Sequence, residues 1–259
     1  MTSLQEHTYT PANLLRQKLQ RWFETGLGQG LLALERHYLG TILNRLFGYH
    51  LLQLGHLTDV DLLDNSRIAH KVVLDLYRDD ISDAHNHVLI SSDSLPIESD
   101  SVDVVVLPHV LEFERSPHQI LRETGRVLIG EGHVVIAGFN PWSLWGLWRL
   151  FLAWRDEPPW CGRFLGLPRL KDWLTLLDFE IVQTEYFYFR PPIQHQRIMK
   201  HLEFMEKLGR YAWAFLGGAY IVVAKKRVIP LTPVKMSWQA RRRMITSGLI
   251  EPSARTRHE

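Results

Sequence analysis

Asp93-Ser94-Leu95-Pro96-Ile97-Glu98-Ser99-Asp100-Ser101-Val102-Asp103-Val104-Val105-Val106 is the stretch on which the fold turns. An acidic residue, a Leu-Pro pair and a polar turn lead into an apolar run, Val102 to Leu107, which closes on Pro108-His109. Continuous Val/Ile/Leu runs, as opposed to alternating ones, suit parallel strands covered on both faces. Similar runs occur at His50 to Leu54, Lys71 to Leu76, more weakly Val88 to Ile90, and His133 to Ala137. Between the last two strands, Pro117 to Ile129 places Ile120, Leu121, Val127 and Leu128 on one helical face, with Gly130 and Gly132 as its expected stop. A helix at Arg169 to Leu177 and strands at Phe179 to Phe189 and Ala219 to Lys226 follow. Strand–helix alternation with two late strands argues for an open α/β sheet.

The chain upstream reads differently. Leu14, Leu15, Leu19, Trp22 and Phe23 recur at helical spacing after Thr10-Pro11, and a second helix is expected over Leu31 to Leu46. Gly26-Leu27-Gly28-Gln29-Gly30 is expected to break the two helices apart; it does not follow a strand, so it lacks the context of a dinucleotide loop. The organisation expected is a helical cap over 1–48, an α/β domain over 49–228 with an aromatic insert at 140–168, and a tail over 229–259. At 259 residues, 46% hydrophobic and 22% charged, disordered and fibrous classes are excluded. One cysteine excludes a disulfide scaffold, and the thirteen histidines show no metal-ligand spacing. No apolar stretch of signal-peptide or membrane-spanning type is present, so a cytoplasmic location is expected. The net charge of +2 conceals a basic end: Lys225 to Glu259 holds nine Lys/Arg against two acidic residues. Such an end suits a solvated tail, nucleic acid or an anionic membrane surface.

An open parallel sheet binds ligands beyond the carboxyl ends of its strands. Gly55 follows the first strand, Asp75 the second, Asp93 the third, and Pro108-His109 the fourth. A carboxylate about twenty residues after the first loop accepts hydrogen bonds from both hydroxyls of a ribose. Asp93 is placed to accept from an exocyclic adenine amine. The set points to an adenosine-type cofactor. His109 is the histidine nearest the chemistry, as a base, a packing surface or an ordinary loop residue. No catalytic base is assigned, and no Gly-x-Ser-x-Gly elbow supports a hydrolase.

The stretch from Asp93 resembles the adenine-side motif and fourth strand of class I S-adenosylmethionine-dependent methyltransferases, particularly the type 11 group. Val110-Leu111-Glu112-Phe113, Pro117, Leu121-Arg122-Glu123, Arg126-Val127-Leu128 and Gly130-x-Gly132-His133-Val134-Val135-Ile136 continue the likeness. The resemblance implies a Rossmann-like, seven-stranded, mostly parallel sheet with helices on both faces, and methyl transfer from S-adenosyl-L-methionine. It places Leu54 and Gly55 at the methionine side, Asp75 at the ribose, Asp93 with Ser94 at the adenine, and Pro108 and His109 on the pocket floor. It departs at Leu51-Leu52-Gln53-Leu54-Gly55-His56-Leu57-Thr58-Asp59, where Gln53 replaces an acidic residue and Leu57 and Asp59 replace small ones. That departure keeps a second reading open: a methyltransferase-like binding protein without turnover, contacting RNA, a membrane or a protein partner.

Asn140 to Trp154 holds four of the nine tryptophans. Trp142, Trp145, Trp148 and Phe151 recur every third residue, an aromatic stripe on a helix. Three arrangements fit it: packing on the cap, a substrate lid, or a membrane-interface helix.

Overall fold

The computed structural model describes residues 12–58, 60–75, 94–152, 154, 157–192, 209 and 213–228. Residues 1–228 form a compact unit. The expected strand at Val88–Ile90, Asp93, a helix expected at Gln196–Leu208 and the basic tail lie outside the described residues.

Among the described residues six strands, against the seven expected, form one sheet: β1 (His50–Leu54), β2 (His70–Leu74), β3 (Val102–Pro108), β4 (Leu128–Phe139), β5 (Phe179–Phe187) and β6 (Ala219–Lys226), in the order β2-β1-β3-β4-β6-β5. β1 to β4 run parallel, and β6 returns antiparallel between β4 and β5. Alternate residues serve two cores, as the strand period demands. Val104 and Val106 of β3 join Leu51, Val135 and Ile221 on one face, under α1 (Ala12–Phe23) and α2 (Gly26–Leu43). Val105 and Leu107 join Leu52, Val134 and Val222 on the other, under α3 (Pro117–Val127) and α5 (Leu167–Leu176). The continuous apolar runs thus arise because both faces are covered.

The register of β1 is fixed at its start. The Asp103 carboxylate accepts from the backbone amides of Tyr49 and His50, both at 2.9 Å. The connection from β1 to β2 contains no helix among the described residues. Leu57, Leu62, Leu63 and Ile68 bury themselves in the cap-side core instead, and Arg36 of α2 pairs with Asp64 at 2.9 Å.

Two expectations are corrected. The glycine run belongs to α2, which starts at Gly26 and not at Leu31. Thr25 caps it, its hydroxyl accepting from the Gly28 amide at 3.2 Å. A Cβ on Gly28 would strike the backbone of Trp22 and Phe23, so the glycines here serve a tight α1–α2 corner. Likewise α3 ends at Val127 and Leu128 passes directly into β4, which leaves Gly130 and Gly132 inside the strand. A Cβ on Gly132 would stand 3.0 Å from the Asp103 carbonyl, where the β3–β4 register shifts.

The aromatic insert divides. Trp145 of α4 (Leu144–Leu152) is 1% exposed and packs against Trp22 of the cap, Phe139, Trp160 and Tyr188. Its indole N–H donates to the Arg190 carbonyl at 3.0 Å. Trp142, Trp148, Phe151 and Trp154 face solvent.

Gly28→Ala is expected to cost about 1–3 kcal/mol by overpacking against rigid backbone. Urea unfolding measures this, and a neutral substitution would show the corner to be loose.

Candidate cofactor site

The parallel register brings the expected positions to one edge. Leu54 pairs with Leu74, and Gln53 pairs with both Val73 and Val106, so the ends of β1, β2 and β3 lie side by side. Gly55 turns the chain with φ of 87°, a conformation that suits glycine, and its amide donates to the Leu74 carbonyl at 2.7 Å. The Gly55 turn therefore sits beside Asp75, which is 5% exposed. Gln53, in place of the family's acidic residue, donates from its side-chain amide to the Gly55 carbonyl at 2.9 Å. Leu54 and Pro108 are buried, and Ser94 is exposed at the start of its segment.

The cap reaches this edge from above. Gln20 of α1 donates to the His56 carbonyl at 2.9 Å. The Arg16 guanidinium lies against Gly55, 2.7 Å from where a Cβ would stand, and pairs with Glu114 at 3.4 Å. Both side chains are buried. A glycine turn, a buried carboxylate beside it and a buried guanidinium packed onto it meet at one edge, an acceptor of the kind ribose hydroxyls would need and a donor of the kind an amino-acid carboxylate would need.

His109 takes a left-handed turn, φ 47°, as its amide donates to the Ala137 carbonyl at 3.0 Å. Its ring is fully enclosed. Nδ1 stands 3.3 Å from Oε1 of Glu112, and Nε2 stands 3.5 Å from Oε2 of Glu35 on α2. Phe139 stacks near the ring at 4.2 Å, with Phe23 at 5.8 Å. Burial alone pushes the imidazole's pKa down. The Glu35 charge and the Glu112 hydrogen bond outweigh it and raise the value from 6.5 to about 10. The ring is thus an imidazolium at neutral pH. Glu112 also accepts from the Phe139 amide at 2.7 Å, while no described residue donates a hydrogen bond to Glu35. Among the described residues His109 is the basic side chain that Glu35 faces. Among the described residues no group of three or more ligands is placed to hold a metal ion.

The segment leading away from the expected adenine site is clamped. Arg126 donates to the carbonyls of Leu95 and Ile97, each at 2.9 Å, and to Glu123, whose carboxylate accepts from the Leu95 amide at 3.1 Å. The Arg126 hydrogen bond, followed by burial opposing it and the Leu95 amide supporting it, holds the Glu123 carboxyl below its usual range. The Leu-x-Glu and Arg-Val-Leu signatures are therefore the fastener for the Leu-Pro loop.

A family model described as a methyltransferase domain matches residues 46–136. The uncharacterized protein YafS of Escherichia coli (strain K12) is 36% identical over 209 residues, covering 79% of this chain and 80% of that protein. The chain belongs to the class I methyltransferase family, type 11 group. Solved structures show the same fold. A Thermotoga maritima S-adenosylmethionine-dependent methyltransferase, a possible histamine N-methyltransferase, superposes with a TM-score of 0.57 at 13% identity, covering 82% of this chain and 99% of that one. A putative methyltransferase in complex with the Haloferax volcanii activator Trm112 gives 0.54 at 15% identity, over 83% and 98%. An Archaeoglobus fulgidus S-adenosylmethionine-dependent methyltransferase gives 0.50 at 20% identity, over 74% and 94%.

Of the expected site residues, Leu54, Gly55, Asp75, Pro108 and His109 lie at strand ends, Ser94 is exposed and Asp93 lies outside the described residues; sequence reasoning gave no site role to Arg16, Glu35, Glu112 or Glu114. The signal for Glu35 was present: it occupies the buried α2 stripe between Leu31 and Leu39 at intervals of four. Glu112 and Glu114 interrupt a buried run in the same way.

Removing one partner of a buried ion pair costs about 3–5 kcal/mol, so Glu35→Gln is expected to lower stability by an amount of that order. Because the folded pKa of His109 lies above the unfolded one, its stabilisation is complete below pH 6.5 and is lost as pH rises toward about 10. Melting temperatures across this range should fall with pH in the wild type and fall less in Glu35→Gln. Equal slopes would contradict the pairing.

Proposed function

We propose that this chain is a cytoplasmic enzyme that transfers a methyl group from S-adenosylmethionine to an acceptor presented at the strand-tip edge. The observation that carries the reading is the bare Gly55 turn, bonded to β2 beside Asp75 with the Arg16 guanidinium over it. The cofactor supplies an electrophilic methyl group on a sulfonium, so the protein's tasks are alignment and exclusion of water. Arg16 takes the carboxylate of the methionine arm by a charge-assisted hydrogen bond, and Glu114 takes its ammonium. Leu54 and Gly55 line that arm. Asp75 accepts from the ribose hydroxyls, and Asp93 with Ser94 holds the adenine. Pro108 and the backbone of His109 form the floor, while the His109 ring stays sealed below it. The acceptor itself supplies the nucleophile, and the cap keeps the site dry.

A second reading, a methyltransferase-like binding protein without turnover, is favoured by one observation. Gln53 folds its amide onto Gly55 where the family carries an acidic side chain. RNA, a membrane or a protein partner would then be the ligand.

Calorimetry with S-adenosylhomocysteine separates the two. The expected result is binding, weakened about tenfold or more by Arg16→Gln and by Asp75→Ala, since a hydrogen bond to a charged group is worth roughly one to two factors of ten. No heat at millimolar ligand from folded protein would leave the second reading standing. An unchanged affinity in Asp75→Ala would overturn the ribose assignment.

A further inference from the structure

Water selects helices whose charged residues face out and whose apolar residues face in. α4 has the opposite polarity. Its charged residue, Arg149, turns inward and donates to the carbonyls of Trp160 and Gly162 at 3.1 and 2.9 Å. Its guanidinium also lies 5.3 Å from the centre of the Phe164 ring. Trp145, one turn earlier on the same side, is sealed in the core. The outer side carries Leu144, Leu147, Trp148, Leu150 and Phe151, with Leu150 72% and Phe151 69% exposed.

The apolar surface continues past the helix. Trp142 and Trp154 flank it at 71% and 76% exposure. Asn140 extends it: its side-chain amide donates to the carbonyls of Phe215 and Gly217 at 2.8 and 2.9 Å. This ties the turn bearing exposed Trp213 and Phe215 to the start of the insert. Monomeric surfaces rarely expose so many large apolar side chains together, and such patches mark interaction sites.

The surroundings identify the partner. Apart from the inward Arg149, the sequence from 140 to 171 carries four Lys/Arg against two acidic residues. Arg163 follows Gly162, which accepts from Arg149, and Arg169 lies in the first turn of α5; both are exposed. Indoles at the margin of an apolar face with cations around it reproduce the layering of an anionic bilayer: acyl chains, then the headgroup zone that indoles favour, then phosphates. No helix among the described residues is long and apolar enough to cross a membrane. We propose that the outer face of α4, together with Trp142, Trp154, Trp213 and Phe215, docks this protein on an anionic phospholipid surface. α4 lies in the interfacial plane, and none of the docking residues is one assigned to the cofactor, so the inference does not rest on methyl transfer.

The test uses the full chain and vesicles of phosphatidylglycerol with phosphatidylcholine, or of phosphatidylcholine alone. The wild type is expected to float with the anionic vesicles and to show tryptophan quenching by brominated acyl chains. Leu150→Gln/Phe151→Ser/Trp154→Ser should weaken partitioning about tenfold or more, because each replaced side chain buries apolar area in the acyl boundary. Arg163→Glu/Arg169→Glu should weaken it about tenfold and remove the preference for anionic lipid. All these positions are exposed, and circular dichroism with an unchanged urea midpoint checks that the fold survives. Four results would overturn the proposal. One is no flotation of the wild type. Another is flotation insensitive to the α4 substitutions, and a third is flotation abolished by Arg241→Gln/Arg242→Gln/Arg243→Gln alone. The last is self-association that the triple substitution dissolves in the absence of any vesicle binding.

Discussion

Taking an imidazole and two carboxylates out of water costs several kcal/mol per ion unless each finds its opposite charge. His109 stands between Glu35 and Glu112, one ring against two carboxyl groups, and the arrangement dictates much of what lies around it. Glu35 comes from the cap, His109 from the tip of β3, and Glu112 from the next turn, where it also accepts from the end of β4. Loss of His109 would leave two carboxyl groups facing each other in the core. The cap helices are thereby fixed to the edge of the sheet at which class I methyltransferases bind their cofactor. The left-handed turn at His109 belongs to the same device, since it aims the ring inward between the carboxylates.

That attachment brings the N-terminal helices onto the strand-tip edge as well as over the sheet. α1 lays Arg16 and Gln20 across the Gly55–His56 turn. The first loop has lost the family's acidic residue, and the cap brings a guanidinium and, through Glu114, a carboxylate to the same place. In the proposed function these two charges are the ones that meet the zwitterionic arm of the cofactor. The change in the loop and the presence of the cap thus belong to one design.

How much was legible in the sequence depends on the range of the forces involved. β1 and β6 begin and end where the apolar runs do, because burial on both faces leaves a local signature. The strand tips followed from the same pattern, hence Leu54, Gly55, Asp75 and Pro108. The glycine run was misread as a helix break because its cause is the approach of Trp22 and Phe23, a tertiary contact. Gly130 and Gly132 likewise answer to a register shift between strands, which local sequence does not encode. The periodic stripe Trp142, Trp145, Trp148 and Phe151 treated four aromatics as equivalent. Packing against Trp22 and Phe139 buried only Trp145. Glu35 was invisible as a partner of His109 because 74 residues separate them in the chain.

The central claim is that the edge under the cap receives a nucleoside with an amino-acid arm. Hydrogen exchange with and without saturating S-adenosylhomocysteine tests it most directly. The account predicts slowed exchange in α1 around Arg16 and Gln20 and in the Gly55–His56 turn, with little change in α5. Identical exchange in both samples, at a ligand concentration in the millimolar range, would contradict it.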